Sequence, residues 1–201
     1  MTGVQTCALP IFIVSLAKIR KITLNNLENF KIDLGNSSSE KDFLTCIKIL
    51  RCLPGKRISC IAKYRDRMVF AKIFIDSKRA KIHWQKEKRG VELLAKNKIL
   101  APELLAHFSL EESVYVLLFQ YQENAVNFQQ KWDQSSADQQ IQILGQLLAL
   151  IAKHHNTNII QQDLHLDNFI FLNNDLYTLD GSDIVTRDRK STRLNSSHTS
   201  I

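Results

Sequence analysis

Asp163, Asn168 and Asp180 are the residues of this chain whose types and spacing could do chemistry. They stand in Gln162-Asp163-Leu164-His165-Leu166-Asp167-Asn168 and in Leu179-Asp180-Gly181. The Asn follows the first Asp by five positions, and the second Asp follows the Asn by twelve. Phosphoryl transfer needs such a set. One carboxylate takes the proton of an attacking hydroxyl, an amide holds a metal ion, and a further carboxylate holds the metal that bridges nucleotide phosphates. D-x-x-x-x-N also recurs by chance. The set therefore gains weight only with an upstream Lys for phosphate and a Glu to pair with it.

Both partners are present. Met68-Val69-Phe70-Ala71-Lys72-Ile73-Phe74 reads as a strand with one Lys among apolar and aromatic residues. An unpaired buried charge is costly, so Lys72 needs a carboxylate. The alternative is an edge-strand Lys that snorkels to water. Asp76-Ser77 can cap a helix running over 77–97. On it Ala80, Trp84, Glu87, Val91 and Leu94 recur at steps of three and four, and so share one face. Glu87 is out of place in that apolar stripe unless it meets a cation. Helix geometry favours Lys72 as that cation over an i,i+4 surface pair. Glu92 lies off the stripe.

Four stretches resemble the bacterial lipopolysaccharide core kinases, which phosphorylate Kdo or heptose sugars. They are Leu53-Pro54-Gly55-Lys56-Arg57, Val69–Phe74, Gln162–Phe169 and Leu176–Gly181. The resemblance spans 46–185 and implies an α+β, protein-kinase-like fold of two lobes. The first would be an antiparallel sheet with one helix, over 12–119 with an N-terminal extension. The second would hold the hinge and catalytic loop, over 120–186. The resemblance further implies ATP and Mg²⁺ as cofactors. Lys72 would meet the α/β-phosphates with Glu87 as its partner, and Asp163 would act as base. Asn168 and Asp180 would hold the metal, with His165 supporting the loop. The implied partner is a sugar hydroxyl of the lipopolysaccharide core. The implied location is the cytoplasm, with peripheral contact at the inner membrane. An aminoglycoside- or choline-type small-molecule kinase also suits the short D-L-H-x-x-N loop. A third reading is a pseudokinase that holds nucleotide without turnover.

Two positions depart from that pattern. No G-x-G-x-x-G precedes the Lys strand. Pro54-Gly55-Lys56-Arg57 stands there instead, either as a basic turn that holds phosphate through Gly55, Lys56 and Arg57 or as a plain hairpin turn. Gln161 stands where protein kinases place the His of H-R-D.

The remaining pattern sets an order of elements. Strands are expected near 46–53, 57–64 and 68–76, then the helix 77–97, then strands near 104–110 and 113–120. Gln120–Asn124 reads as a hinge, with Gln120 and Gln122 offering backbone groups to adenine. A short helical stretch follows near 125–132. Ile141, Leu144, Leu147, Leu148 and Ile151 mark a helix over 136–156. Strands near 169–172 and 176–179 flank a hairpin turn at Asn173-Asn174-Asp175. His155 fits the packed end of the long helix.

Charge divides the chain. Residues 12–112 hold 21 basic and 11 acidic side chains, whereas 113–186 hold 2 basic and 8 acidic. A basic half suits phosphates or an anionic membrane face, and an acidic half suits a metal. No interleaved aromatics or motif point to nucleic acid. Cys46, Cys52 and Cys60 form no C-x-x-C and read as free buried thiols of a reducing compartment. His154, His155 and His165 lack the companion ligands of a zinc site. The ends, 1–11 and 187–201, resemble translated sequencing-adapter sequence and read as artefactual, with 12–40 as a leader of uncertain origin. A complete kinase would continue beyond Val185 with more helices. The second lobe thus reads as truncated, and this chain alone as inactive.

Overall fold

The computed structural model describes residues 12–21, 30–35 and 42–187. Residues 1–11 and 188–201, read above as artefactual ends, lie outside the described residues. The fold is α+β. A curled sheet of seven strands has the order β1-β2-β3-β4-β5-β7-β6. Its strands are β1 (Phe12–Ile13), β2 (Phe30–Asp33), β3 (Phe43–Leu53), β4 (Arg57–Tyr64), β5 (Arg67–Phe74), β6 (Leu104–Leu110) and β7 (Val114–Gln120). All pairings are antiparallel except β1 with β2. Helix α1 (Leu16–Ile19) lies between β1 and β2, and α2 (Ala80–Lys96) between β5 and β6.

The central strands are buried on both faces, so alternation sorts their side chains between two cores. Val69, Ala71 and Ile73 of β5 join Val114, Val116 and Leu118 of β7 on one face. Phe74 of β5 joins Leu117 and Phe119 of β7 on the other, packed under Ala80 and Val91 of α2. Two tight turns set the register. At Pro54-Gly55 the Lys56 N–H donates to the Leu53 carbonyl at 2.9 Å, and Gly55 has φ +66°. That is the type II arrangement, in which Gly takes the position needing positive φ. At Arg65-Asp66 both φ values are positive, the twist that a two-residue hairpin prefers.

The second half is smaller. Helix α3 (Phe128–Asp133) and helix α4 (Ala137–Asn156) pack with two short sheets. One has the order β11-β10-β8, from β8 (Val126–Asn127), β10 (Phe169–Leu172) and β11 (Asp175–Thr178). The other pairs β9 (Ile159–Gln161) with β12 (Ile184–Thr186). The β10–β11 turn is the expected one. Asn173 and Asn174 have φ of 50° and 72°, which Asn tolerates best among residues with a Cβ. Ser136 and Gln139 form a reciprocal capping box at the start of α4.

Four expectations need correction. The described part of 12–40 is not merely a leader: Ile19, Phe30, Ile32 and Leu34 are buried in the core cluster of the curled sheet. Arg20 fastens this segment, donating to the Ile75 carbonyl at 3.0 Å and pairing with Glu112 at 3.5 Å. Helix α2 starts at Ala80 rather than 77, because Asp76 caps the turn before it. The Asp76 carboxylate accepts the N–H groups of Lys78 and Arg79 at 2.9 and 3.1 Å. On α4 the buried face is Ile143, Leu150 and His154, whereas Ile141, Leu144 and Leu148 are exposed. This helix is apolar on two faces, so periodicity alone chooses between them badly. Finally, the packed histidine is His154, not His155, which is exposed. His154 Nε2 shares a hydrogen bond of 3.3 Å with the Thr178 hydroxyl, tying α4 to the strand that leads into Asp180.

Burial, with His155 and Lys153 as neighbouring charges, pushes His154 down to about 4. Between that value and the ordinary 6.5 the unfolded chain binds the proton and the folded chain refuses it. The contribution of His154 to stability is therefore full above pH 6.5 and falls as pH drops toward 4, by as much as about 3 kcal/mol. Urea melts across this range should show the slope. His154→Gln should remove this slope, whereas His155→Gln should reduce it only in part, by taking away one of the two charges beside His154. A slope that follows His155 would reverse the assignment.

Candidate functional site

Lys72 stands on the α2 side of β5, between Phe70 and Phe74 in the alternation. Ser59 of β4 and Leu117 of β7 are its cross-strand neighbours. Its side chain is buried, and its Nζ lies 2.5 Å from Oε1 of Glu87 and 3.7 Å from Oδ1 of Asp180. Glu87 is fully buried. Its Oε1 also accepts the Gly181 N–H at 3.2 Å, while Oε2 has no partner among the described residues. Glu92 is exposed and, among the described residues, pairs only with Lys88, at 3.7 Å. The expected choice of Glu87 over Glu92 matches this geometry.

The two carboxylates beside Lys72 are held in opposite senses. Burial pushes Glu87 up to about 7 against the pull of Lys72, and the nearby Asp180 charge adds to the rise. Burial also works against an ionised Asp180. The Lys72 charge and the Ser182 N–H and hydroxyl outweigh it, and hold Asp180 well below the usual carboxylate range. Asp180 is thus kept anionic, as a ligand for a cation must be.

A glycine pair sets the approach of helix to loop. A Cβ on Gly90 of α2 would overlap the backbone of Gly181, and one on Gly181 would come within 2.5 Å of the Glu87 carbonyl oxygen. Only two glycines let α2 lie directly on the Asp180-Gly181 backbone. Sequence reasoning passed over Gly90 because it reads as a weak helix position.

The Asp163–Asn168 loop hangs from β9 and runs into β10. The Asn168 amide donates to both the carbonyl and Oδ2 of Asp163, at 3.1 and 3.2 Å. That leaves the Asn168 side-chain oxygen for a cation. The Asn168 carbonyl in turn accepts the Leu179 N–H at 2.9 Å, fixing it beside the strand end that carries Asp180. Buried Gln161 donates to the Asp163 carbonyl at 3.1 Å, a prop for this loop. Asp163 itself is exposed, with Oδ1 accepting the His165 N–H at 3.3 Å. The His165 imidazole turns away: its Nδ1 accepts the Asp167 N–H and lies 3.3 Å from the Asp167 carboxylate.

A cavity of about 350 Å³ lies against these groups. Lys72, Asn168 and Asp180 line it, with Phe70, Gln120 and Gln122. The Gln120 N–H is already spent on the Glu103 carbonyl at 2.9 Å, so Gln120 cannot offer that donor to a base as expected. Of the basic turn, Arg57 lines the cavity, whereas Gly55 and Lys56 are exposed and stand off it. Asp163 and His165 lie outside the lining, on the loop that carries Asn168. Arg51, Ser59 and Asp167 line the cavity without having been singled out from sequence. Among the described residues no group of three or more His, Cys, Asp or Glu side chains gathers to hold a metal.

The glycine contact has a measurable consequence. Gly90→Ala should destabilise the fold by about 1–3 kcal/mol through overpacking, although Ala is the better helix former by about 1 kcal/mol. Gly145→Ala in α4, where nothing lies within 4 Å of the new Cβ, should instead stabilise. Urea midpoints of the two variants should move in opposite directions. Equal shifts would mean that α2 does not rest on Gly181.

No protein-family model matches the chain, and no curated protein matches it either. The chemistry of the site therefore stands on its own geometry.

Proposed function

We propose that the chain belongs to an ATP-dependent phosphotransferase of the protein-kinase-like, two-lobed type, acting on a sugar hydroxyl of the lipopolysaccharide core, Kdo or heptose. The supporting observation is the convergence of Lys72, Asn168 and Asp180 from separate elements onto one cavity, with Glu87 buried behind it and paired to Lys72. Chance spacing in the sequence gives no reason for that convergence. The acceptor class rests on the resemblance of the four quoted stretches alone.

The residues fit the cofactor. Asn168 and Asp180 would hold Mg²⁺ through two oxygens. That is a usual protein contribution, since Mg²⁺ takes its other ligands from water and phosphate. The ion, once bound, neutralises charge on the transferring phosphate. Lys72, fixed by Glu87, would orient the nucleotide. Asp163, exposed on the loop that carries Asn168 and oriented by it, would align the acceptor hydroxyl and take its proton. The basic half of the chain would face phosphate and the anionic inner membrane surface from the cytoplasmic side. Among the described residues no helix is long and apolar enough to cross a membrane.

Phosphate transfer from labelled ATP tests this reading, with Kdo- and heptose-containing acceptors beside choline and an aminoglycoside. Asp163→Asn should lower transfer by at least about a hundredfold while ATP binding stays near its original value. Asp180→Asn should weaken Mg·ATP binding as well. Full activity in Asp163→Asn would remove the base assignment. Transfer to choline or the aminoglycoside alone would make the enzyme a small-molecule kinase. Nucleotide binding with no transfer to any acceptor would make it a binding module.

A further inference from the structure

Taking the cavity as the nucleotide site proposed above, we propose that Arg51, Ser59 and Lys72 form a side-chain rail that grips the phosphate oxygens of the nucleotide. Strand register puts them there. Arg51 of β3 is directly opposite Ser59 of β4, and Ser59 is directly opposite Lys72 of β5. Residues opposite each other in an antiparallel pair point to the same face, so the three stand in one row across three strands. Arg57, two residues before Ser59, joins the same face. All four line the cavity that also holds Asp180.

The row is suited to oxyanions and to little else. Among the described residues, neither guanidinium is paired with a carboxylate. Lys72 is held in place by Glu87 and still lines the cavity, and Arg51 and Arg57 add two charges with no carboxylate partner to meet a ligand beside it. Ser59 is 7 % exposed and faces the cavity, and its hydroxyl has no hydrogen-bond partner among the described residues. Facing the cavity, that hydroxyl could donate to a ligand oxygen held between the cations on either side of it. Asp167 and Asp180 also line the cavity, which limits free anion binding and favours phosphates that arrive with a divalent cation. A glycine loop binds phosphates through backbone N–H groups. This chain has no such loop, and the rail supplies charged side chains in its place.

The geometry also sets a specificity. A rail that reads phosphate should discriminate by phosphate number and ignore the base. Titration calorimetry on the chain with Mg·ATP, tripolyphosphate and adenosine tests this, using the original sequence, Arg51→Ala and Ser59→Ala. Arg51 is exposed, so its replacement should leave the melting midpoint unchanged. Arg51→Ala should weaken Mg·ATP and tripolyphosphate by about tenfold or more, Ser59→Ala by a smaller factor, and adenosine by neither. Mg·ATP binding that Arg51→Ala leaves intact would overturn the rail and leave the phosphotransferase reading standing. Equal loss for adenosine would overturn it too, since the substitution would then act on the whole cavity. Tripolyphosphate binding that depends on Arg51, with no preference for ATP over it, would keep the rail and remove the nucleotide. No binding of either phosphate ligand would overturn both.

Discussion

The buried contact between Lys72 and Glu87 is the constraint on which the rest of the site depends. A Lys in a strand buried on both faces has little access to water and must be met where it stands. The partner comes from α2, which therefore has to lie across the α2 side of the sheet at one height and one rotation. A buried ion pair is a poor source of stability, since desolvation consumes most of what Coulomb attraction returns. Its value here is positional. Once Glu87 is fixed, its Oε1 receives the Gly181 N–H, and Asp180 is brought within 3.7 Å of the same ammonium. One cation thus gathers a helix and a loop that lies 93 residues beyond Glu87 in sequence.

Much of this was legible because it is written in strong local patterns. Lys72 interrupts an apolar strand and Glu87 interrupts an apolar helix face. Each is an anomaly that only the other resolves. The Asn173-Asn174 hairpin follows from residue types that tolerate positive φ. What escaped notice was weak in pattern. The segment 12–34 contributes strands of two and four residues, too short to show a period. Helix α4 is apolar on two faces, and nothing in its sequence says which one the second core will claim. His154 and His155 are neighbours of one type, separated only by about 100° of helix rotation. Gly90 was invisible because a close backbone approach leaves no chemical mark on a glycine.

Arg51 is a different case, because its signal was present and unused. A turn at Pro54-Gly55 fixes the register of β3 against β4, and a turn at Arg65-Asp66 fixes β4 against β5. Together they place Arg51, Ser59 and Lys72 in line before any coordinates are seen. One complication is a register shift between Ile49 and Arg51. It brings Leu50 as well as Arg51 to the cavity, as a bulge does when it turns two consecutive side chains toward one side. Local turn chemistry therefore reaches the ligand site through the sheet.

Helix α2 has a second role that follows from where its residues are buried. Ala80 and Val91 belong to the core beneath the seven-stranded sheet, whereas Leu94 belongs to the core of the second half. Ile99, just past the helix, is buried in that second core as well. Gly90 sits at the crossing, with the Gly181 backbone against it. A shift of the second half relative to the sheet must therefore either carry α2 along or slide past a contact that has no side chain to yield. If the helix moves, Glu87 leaves Lys72. If it does not, Gly181 loses its acceptor. Either displacement unpairs a buried polar group, so the arrangement that aligns Lys72 with Asp180 is also the one in which both cores and the glycine contact are satisfied together.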